Sequence, residues 1–152
     1  MTSAQGTTPL TLWQAVDALI TKMPFSVDSV GDVLRKRLSE DEQRSNDAFQ
    51  FYRSASVSLS GGRSISNAEL RIKRTSPYPA FLVLRLAGSC VTAREVREHY
   101  AELRITHVPS GRSPDETTTY SAQASWGRLS LVFKVANSNC VDFVAFDPVE
   151  LQ

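Results

Sequence analysis

The two histidines and two cysteines are the residues in this 152-residue sequence with the widest range of chemistry. Histidine is the most frequent general acid or base in enzymes, and a thiolate activated by histidine can act as a nucleophile. His99 stands between a glutamate and a tyrosine, which is typical of a solvent-exposed helix position. His107 follows an alternating apolar segment and is expected at the rim of a sheet. Neither position favours catalysis, and we expect a protein that is not an enzyme.

The sequence also lacks the spacings that hold metals or nucleotides. It contains neither C-x-x-C nor H-E-x-x-H, the usual zinc motifs. The segment SGGRS at residues 60–64 has the glycines and arginine of an anion-binding turn. It lacks the longer spacing and the lysine of a P-loop, and a hairpin turn is the favoured interpretation. We therefore expect no metal and no cofactor.

The cysteines bear on the cellular compartment. Cys90 follows a strongly apolar segment and Cys140 immediately precedes another, so both lie at the ends of predicted elements. A disulfide between them would close a loop of about 50 residues and stabilise the fold by about 4 kcal/mol. Such a bond fits an oxidising compartment such as the periplasm. Two buried free thiols are the alternative, because unpaired cysteine is among the most buried residue types.

The polar segment at residues 107–120, HVPSGRSPDETTTY, offers groups for binding rather than for catalysis. Its adjacent acids, Asp115 and Glu116, point to opposite sides of an extended chain and make a poor acid–base pair. Its prolines restrict φ and so reduce the entropy lost when Arg112 and Asp115 meet a partner. We predict Arg112, Asp115 and Glu116 as contacts with a protein partner. A solvated connection between strands is the alternative.

Two aromatic residues in predicted loops are expected to anchor the same interaction. Tyr78 stands between two prolines, and Trp126 lies in the turn-like sequence ASWGR at residues 124–128. Tyrosine and tryptophan are enriched among the residues that dominate interface energetics. For Trp126 the alternative is a ring packed into the core behind the turn.

Helical and then strand-like periodicity organises the first half of the chain. Apolar residues at three- and four-residue spacing predict a helix over residues 12–23, ended by Pro24. Ser29 and Asp32 have the spacing of a capping box and predict the start of a second helix. Alternation then predicts strands from residue 49 onward, including one over residues 68–73 with a wet face. Residues 81–86, apolar apart from Arg85, predict a central strand.

The second half repeats the order of helix and then strands. Thr92 and Glu95 form a capping box at the head of a helix, and a short strand follows at residues 103–105. Three further alternating segments predict strands over residues 117–122, 129–135 and 141–145. The repeated order suggests two related halves, residues 11–88 and 89–152, with a plain α+β domain as the alternative.

Composition limits the class of protein and of partner. Apolar residues make up 41% of the chain and charged residues 22%, which is typical of one globular domain over residues 11–152 after a disordered leader at residues 1–10. Seventeen basic and sixteen acidic side chains leave a net charge of +1, so we expect no nucleic-acid partner. The longest apolar run, residues 80–84, is too short to predict a transmembrane segment.

The segment CVTAREVREHY at residues 90–100 carries a resemblance to a known family. Thr92, Glu95 and Val96 have the T-x-x-E-V spacing of a helix that leads into a strand. Together with the tandem order of helices and strands, this resembles the β-lactamase inhibitor protein and related periplasmic lipoprotein domains of outer-membrane assembly. By type, the chain also resembles the periplasmic immunity proteins of bacterial type VI secretion. These resemblances imply an exported protein that acts by binding another protein.

We therefore expect an α+β fold whose antiparallel β-sheet has helices packed on one face. The expected function is that of a non-enzymatic exported bacterial protein that inhibits a partner enzyme, an immunity protein against a secreted cell-wall-degrading effector. An envelope assembly module, a small hydrolase and a ligand carrier are the alternatives. The expected location is the periplasm after removal of a signal peptide, with the cytoplasm as the alternative. The sequence predicts no oligomeric state.

Overall fold

A computed structural model describes residues 8–74, 80–108, 110–112, 116–134 and 139–148. These residues form helices α1 (Leu12–Thr21), α2 (Val27–Leu34) and α3 (Ala93–His99). The strands are β1 (Ser39–Glu40), β2 (Phe49–Arg53), β3 (Val57–Ser58), β4 (Arg63–Lys73), β5 (Phe81–Gly88), β6 (Arg104–His107), β7 (Thr117–Ala124), β8 (Gly127–Lys134) and β9 (Val141–Pro148). Within these described ranges, each helix is too short or too polar to cross a membrane.

Each helix begins at a side chain that accepts a backbone hydrogen bond, Thr11 in the case of α1. The predicted start of α2 at Ser29 is wrong, because the cap is Ser26 and Ser29 is the third helical residue. Ser26 accepts from the Ser29 N–H and the Ser29 hydroxyl accepts from the Ser26 N–H, which satisfies two amides that lack helical partners. The predicted start of α3 is confirmed, since Thr92 accepts from the Glu95 N–H.

The strands form one antiparallel sheet, which confirms the predicted α+β class. Their order is β1-β2-β4-β5-β9-β8-β7-β6, and β3 pairs with β4 beside this path. The order is symmetric about the central β5–β9 pair. The first half supplies two helices and the second half one, in each case followed by antiparallel strands. Two α/β halves divided near residue 88 would produce this arrangement. Descent of the halves from a duplication stays a prediction.

One buried cluster joins all three helices to the sheet. Strand pairing places Leu70, Leu82 and Phe146 in one row across the sheet, and all three are fully buried. The helices contribute to the cluster Leu12, Trp13, Ala15, Val16, Leu19, Val30, Val33, Leu34 and Val96. Neighbouring residues of a strand point to opposite faces of a sheet. In the four central strands, β4, β5, β9 and β8, the residues that belong to the cluster lie on one face.

Four buried apolar side chains of the described chain lie outside that cluster: Phe51, Val83, Val132 and Ala145. Val83 pairs with Ala145, and each is next in sequence to a residue of the first cluster. These side chains therefore point to the opposite face of the sheet. Both faces of the sheet therefore carry buried apolar side chains at the centre.

The predicted disulfide between Cys90 and Cys140 is confirmed, with an S–S distance of 2.07 Å. Cys90 follows β5 and Cys140 precedes β9, so the bond ties the two central strands together where one ends and the other begins. The cysteines are 50 residues apart, and the bond therefore restricts a large part of the unfolded chain.

Replacing both cysteines with serine is expected to lower the free energy of unfolding by about 4 kcal/mol, because the unfolded chain regains the entropy of the open loop. Guanidinium denaturation measures the change. Reductant should destabilise the wild-type protein by a similar amount and leave the Cys90→Ser/Cys140→Ser protein unchanged. Equal stability of the wild-type and double-substituted proteins without reductant would contradict this role for the disulfide.

Candidate binding surface

The face of the sheet opposite the main cluster carries phenylalanine rings beneath arginine side chains. The Arg44 guanidinium carbon lies 4.6 Å from the centroid of the Phe51 ring, and that of Arg71 lies 5.4 Å from the same centroid. Arg71 also lies 5.1 Å from the Phe81 centroid. Arg85 lies 5.3 Å from the Phe143 centroid. We call this surface the arginine–phenylalanine face, defined by Arg44, Phe51, Glu69, Arg71, Phe81, Arg85, Lys134, Asp142 and Phe143.

Strand register brings these residues together from distant parts of the sequence. Arg71 of β4 pairs with Phe51 of β2 on one side and with Phe81 of β5 on the other. Arg85 of β5 pairs with Phe143 of β9. Side chains that are paired across strands point to the same face and touch, so each arginine can lie over a neighbouring ring. The described contacts of the face thus come from strands and from the β1–β2 loop, which supplies Arg44.

Glu69 fixes the arginines at one end of the face. This residue is only 7% exposed, and its carboxylate forms ion pairs with Arg44 and, at 3.5 Å, with Arg71. A carboxylate removed from water is costly unless cations or hydrogen bonds compensate it. The two guanidinium groups meet that requirement and are held above the Phe51 ring as a result.

Asp142 occupies a different environment at the other end of the face. Its Oδ2 atom lies 3.9 Å from the Arg85 guanidinium and 3.9 Å from the Lys134 ammonium. These distances are too long for hydrogen bonds, and Oδ2 accepts none from the part of the chain that the structure describes. The side chains of Arg85 and Lys134 remain 51% and 44% exposed. Both cations therefore face solvent, and their ammonium and guanidinium groups donate no hydrogen bond to Asp142 Oδ2.

On the same side of the sheet, strands β8, β7 and β6 carry a row of hydroxyl groups. The Ser121 hydroxyl lies 2.8 Å from that of Thr106 and 3.2 Å from that of Ser130. Ser121 is 2% exposed, so its hydroxyl needs these partners. The side of the sheet that begins with arginine and phenylalanine at β2 thus ends with neutral polar groups at β6.

Of the predicted contacts in the loop, Arg112 faces solvent whereas Glu116 is bonded within the loop. The Glu116 carboxylate accepts hydrogen bonds from the N–H groups of Ser110, Gly111 and Arg112 and from the Ser110 hydroxyl, at 2.6–3.1 Å. The Ser110 hydroxyl, followed by the three amides, holds the pKa of Glu116 below its usual range. Glu116 thus holds the loop together, while Arg112 is exposed. Asp115 and Tyr78 lie outside the described residues.

Trp126 lies far from the loop. It packs against the main cluster, with its ring centroid 6.3 Å from that of Phe146. Arg112 and Glu116 precede β7 and Trp126 follows it, and eight strand residues span about 25 Å. The structure therefore does not bring Trp126 together with Arg112 and Glu116, and the arginine–phenylalanine face includes none of the three.

A second polar cluster joins the helices to the disulfide. Glu95 of α3 accepts hydrogen bonds from the Trp13 indole N–H at 2.7 Å and from two Arg63 nitrogens at 2.7 and 2.5 Å. Arg63 also donates to the Cys90 carbonyl at 2.9 Å. The Arg63 hydrogen bonds and then that of Trp13 lower the pKa of Glu95, against the opposing effect of burial. His99 stacks on Trp13 at 4.3 Å, so this histidine belongs to a packing cluster.

Gly88 allows the close backbone approach on which this cluster depends. Its φ is +85°, and a Cβ atom there would lie 2.3 Å from the Gly62 carbonyl oxygen. Only glycine fits such a position without displacing backbone. The adjacent Arg63 is thereby held beside Cys90 and Glu95.

The described residues offer no alternative centre for metal chemistry, since no three of their His, Cys, Asp and Glu side chains converge on a metal-sized site. His107 is exposed in β6. Comparisons of the chain with models of protein families, with curated proteins and with solved structures find no match. The resemblances to inhibitor and immunity proteins therefore stay predictions.

Glu95→Gln is expected to lower the free energy of unfolding by about 1–3 kcal/mol at neutral pH, because Arg63 loses its charged acceptor while Trp13 keeps a neutral one. The folded-state pKa of Glu95 is lowered, so its contribution is present above the unfolded pKa of about 4.3 and is lost as pH falls through the folded value. Denaturation of the wild-type and Glu95→Gln proteins across acidic pH should show the difference shrinking. Glu98→Gln, on the exposed side of the same helix, is the control. A difference that persists undiminished in strong acid would contradict the assignment.

Glu116→Ala is expected to speed hydrogen exchange at the amides of Ser110, Gly111 and Arg112, because their common acceptor is removed. Exchange measured by nuclear magnetic resonance should show the effect at these amides and leave those of β8 unchanged. Glu102→Ala, another exposed glutamate, is the control. Unchanged exchange at the three amides would show that Glu116 does not hold the loop.

Proposed function

We propose that this chain is a non-enzymatic exported protein that binds a partner enzyme through the arginine–phenylalanine face and inhibits it. The observation that carries the proposal is the layer of arginine side chains held over phenylalanine rings on one face of the sheet. Arginine and aromatic residues are enriched in the cores of protein interfaces, and arginine, tryptophan and tyrosine dominate their energetics.

The dimensions of the sheet suit such a role. The sheet has eight strands side by side, about 4.8 Å apart, so its width across the strands is about 34 Å. Its length along the longer strands is about 25 Å. A standard interface buries about 800 Å² on each partner, which is comparable to the area of one side of the whole sheet. The arginine–phenylalanine face is the part of that side on β2, β4, β5, β9 and β8. Inhibition by occlusion requires no reactive group, only a surface that covers the entrance to an active site.

Preorganisation further supports binding. Glu69 restrains Arg44 and Arg71 before any partner arrives, so these long side chains have less freedom to lose. The disulfide supports export, because such bonds persist in oxidising compartments such as the periplasm. The partner predicted from the sequence is a secreted cell-wall-degrading effector, and the chain would then be its immunity protein.

The wild-type protein, immobilised and exposed to secreted and periplasmic proteins of the native host, is expected to retain an enzyme that Arg85→Glu no longer retains. Charge reversal at a central interface arginine should weaken binding about tenfold or more. Arg37→Glu is the control, since Arg37 is exposed in the segment between α2 and β1. The activity of the retained enzyme should fall to its limit at one equivalent of the wild-type protein. Equal retention by Arg85→Glu, or full enzyme activity in the saturated complex, would contradict the proposal.

A further inference from the structure

We infer that the arginine–phenylalanine face recognises an acidic protein surface, whose carboxylates bind at Arg85 and Lys134. The inference rests on the proposed function and adds the chemistry of the partner. It depends on two observations: the balance of charge on the face, and the closer ion pairing of Glu69 than of Asp142 with their neighbouring cations.

Among the described residues, cations outnumber carboxylates in the ion pairs on this side of the sheet. Besides the pairs already described, Arg53 pairs with Asp41 at 3.6 Å and Arg128 with Asp147 at 3.4 Å. In the part of the chain that the structure describes, these ion pairs hold six cations, Arg44, Arg53, Arg71, Arg85, Arg128 and Lys134, against the four carboxylates Asp41, Glu69, Asp142 and Asp147. The surplus is two positive charges, although the whole chain carries a net charge of only +1. An acidic surface complements such a patch and is steered toward it.

One of these two surplus charges lies with Arg85 and Lys134, which share Asp142. The other lies with Arg44 and Arg71, which share Glu69 and whose side chains are 47% and 38% exposed. The charge at Arg85 and Lys134 is the one held less closely by its carboxylate. Arg44 and Arg71 enclose Glu69, whose side chain is only 10% exposed. Arg85 and Lys134 instead share Asp142 at 3.9 Å without a hydrogen bond, and both extend into solvent. The planar guanidinium group can donate two parallel hydrogen bonds to one carboxylate, and the ammonium group can bind a second. The Phe143 ring beneath Arg85 limits the directions in which that guanidinium can turn.

The same features favour protein carboxylates over nucleic-acid phosphates. Single-stranded nucleic acids bind aromatic sheet faces by stacking bases on exposed rings. Here the rings of Phe51, Phe81 and Phe143 have guanidinium groups of the chain itself beside them. The net charge of +1 also lacks the extended basic field of nucleic-acid-binding domains.

The test uses the full, disulfide-bonded chain and three fluorescent probes at low salt. The first is a peptide in which glutamate alternates with serine, the second has glutamine in place of each glutamate, and the third is a single-stranded oligonucleotide of equal charge to the first. Fluorescence anisotropy should show the glutamate peptide binding about tenfold more tightly than the glutamine peptide, with the difference reduced by added salt. The oligonucleotide should bind more weakly than the glutamate peptide.

A matched pair of double substitutions locates the binding. Arg85→Ala/Lys134→Ala should weaken binding of the glutamate peptide about tenfold. Lys36→Ala/Arg37→Ala removes the same two charge types from exposed positions between α2 and β1 and should leave it unchanged. Equal binding of the two peptides, equal losses in the two variants, or tighter binding of the oligonucleotide would each overturn the inference. Retention of an enzyme by the wild-type protein but not by Arg85→Glu would still support the proposed function in any of those cases.

Discussion

The register of β5 against β9 is the constraint on which the rest of the structure depends. It joins the two halves of the sheet and pairs Leu84 with Val144 on one face and Arg85 with Phe143 on the other. Because side chains alternate along a strand, a shift of one residue would exchange the two sets between core and surface. The disulfide lies where β5 ends and β9 begins, so a covalent bond restrains the same pair of strands.

Charge burial follows from the pairing of β4 with β2 and β5. Glu69 lies on the face that lacks the main cluster, yet neighbouring rings and arginines exclude most solvent from it. The apolar stem and planar head of arginine let it cover a phenylalanine ring and pair with this carboxylate at the same time, which favours arginine over lysine at residues 44 and 71. Asp142, nearer the strand end, holds its two cations at longer distances. One face therefore combines a restrained region and a solvent-accessible one.

Local features of the fold could be predicted from the sequence, whereas features that depend on pairing could not. Alternation along residues 68–73 predicts which side chains of β4 point away from the main cluster, and the T-x-x-E spacing predicts the start of α3, because both signals lie within a few residues. The predicted wet face is wrong at Glu69, which is buried. Phe51, Phe81 and Phe143 come from three strands whose register is set by contacts across the whole chain. No local pattern indicates that these rings share one face with Arg71 and Arg85. The residues of the face could not be named from the sequence for that reason.

The loop at residues 107–120 shows why polar composition is a weak guide to an interface. Its glutamate and its glycine-containing turn are both used within the loop, since Glu116 binds amides that the turn leaves without strand partners. A carboxylate that accepts four such bonds has little capacity left for a partner. Exposed cations whose carboxylate partner among the described residues lies at 3.9 Å keep that capacity, and they occur at Arg85 and Lys134 on the sheet. A polar side chain indicates a binding surface only when its donors or acceptors are not already used within the protein. Polarity alone is therefore the weaker guide.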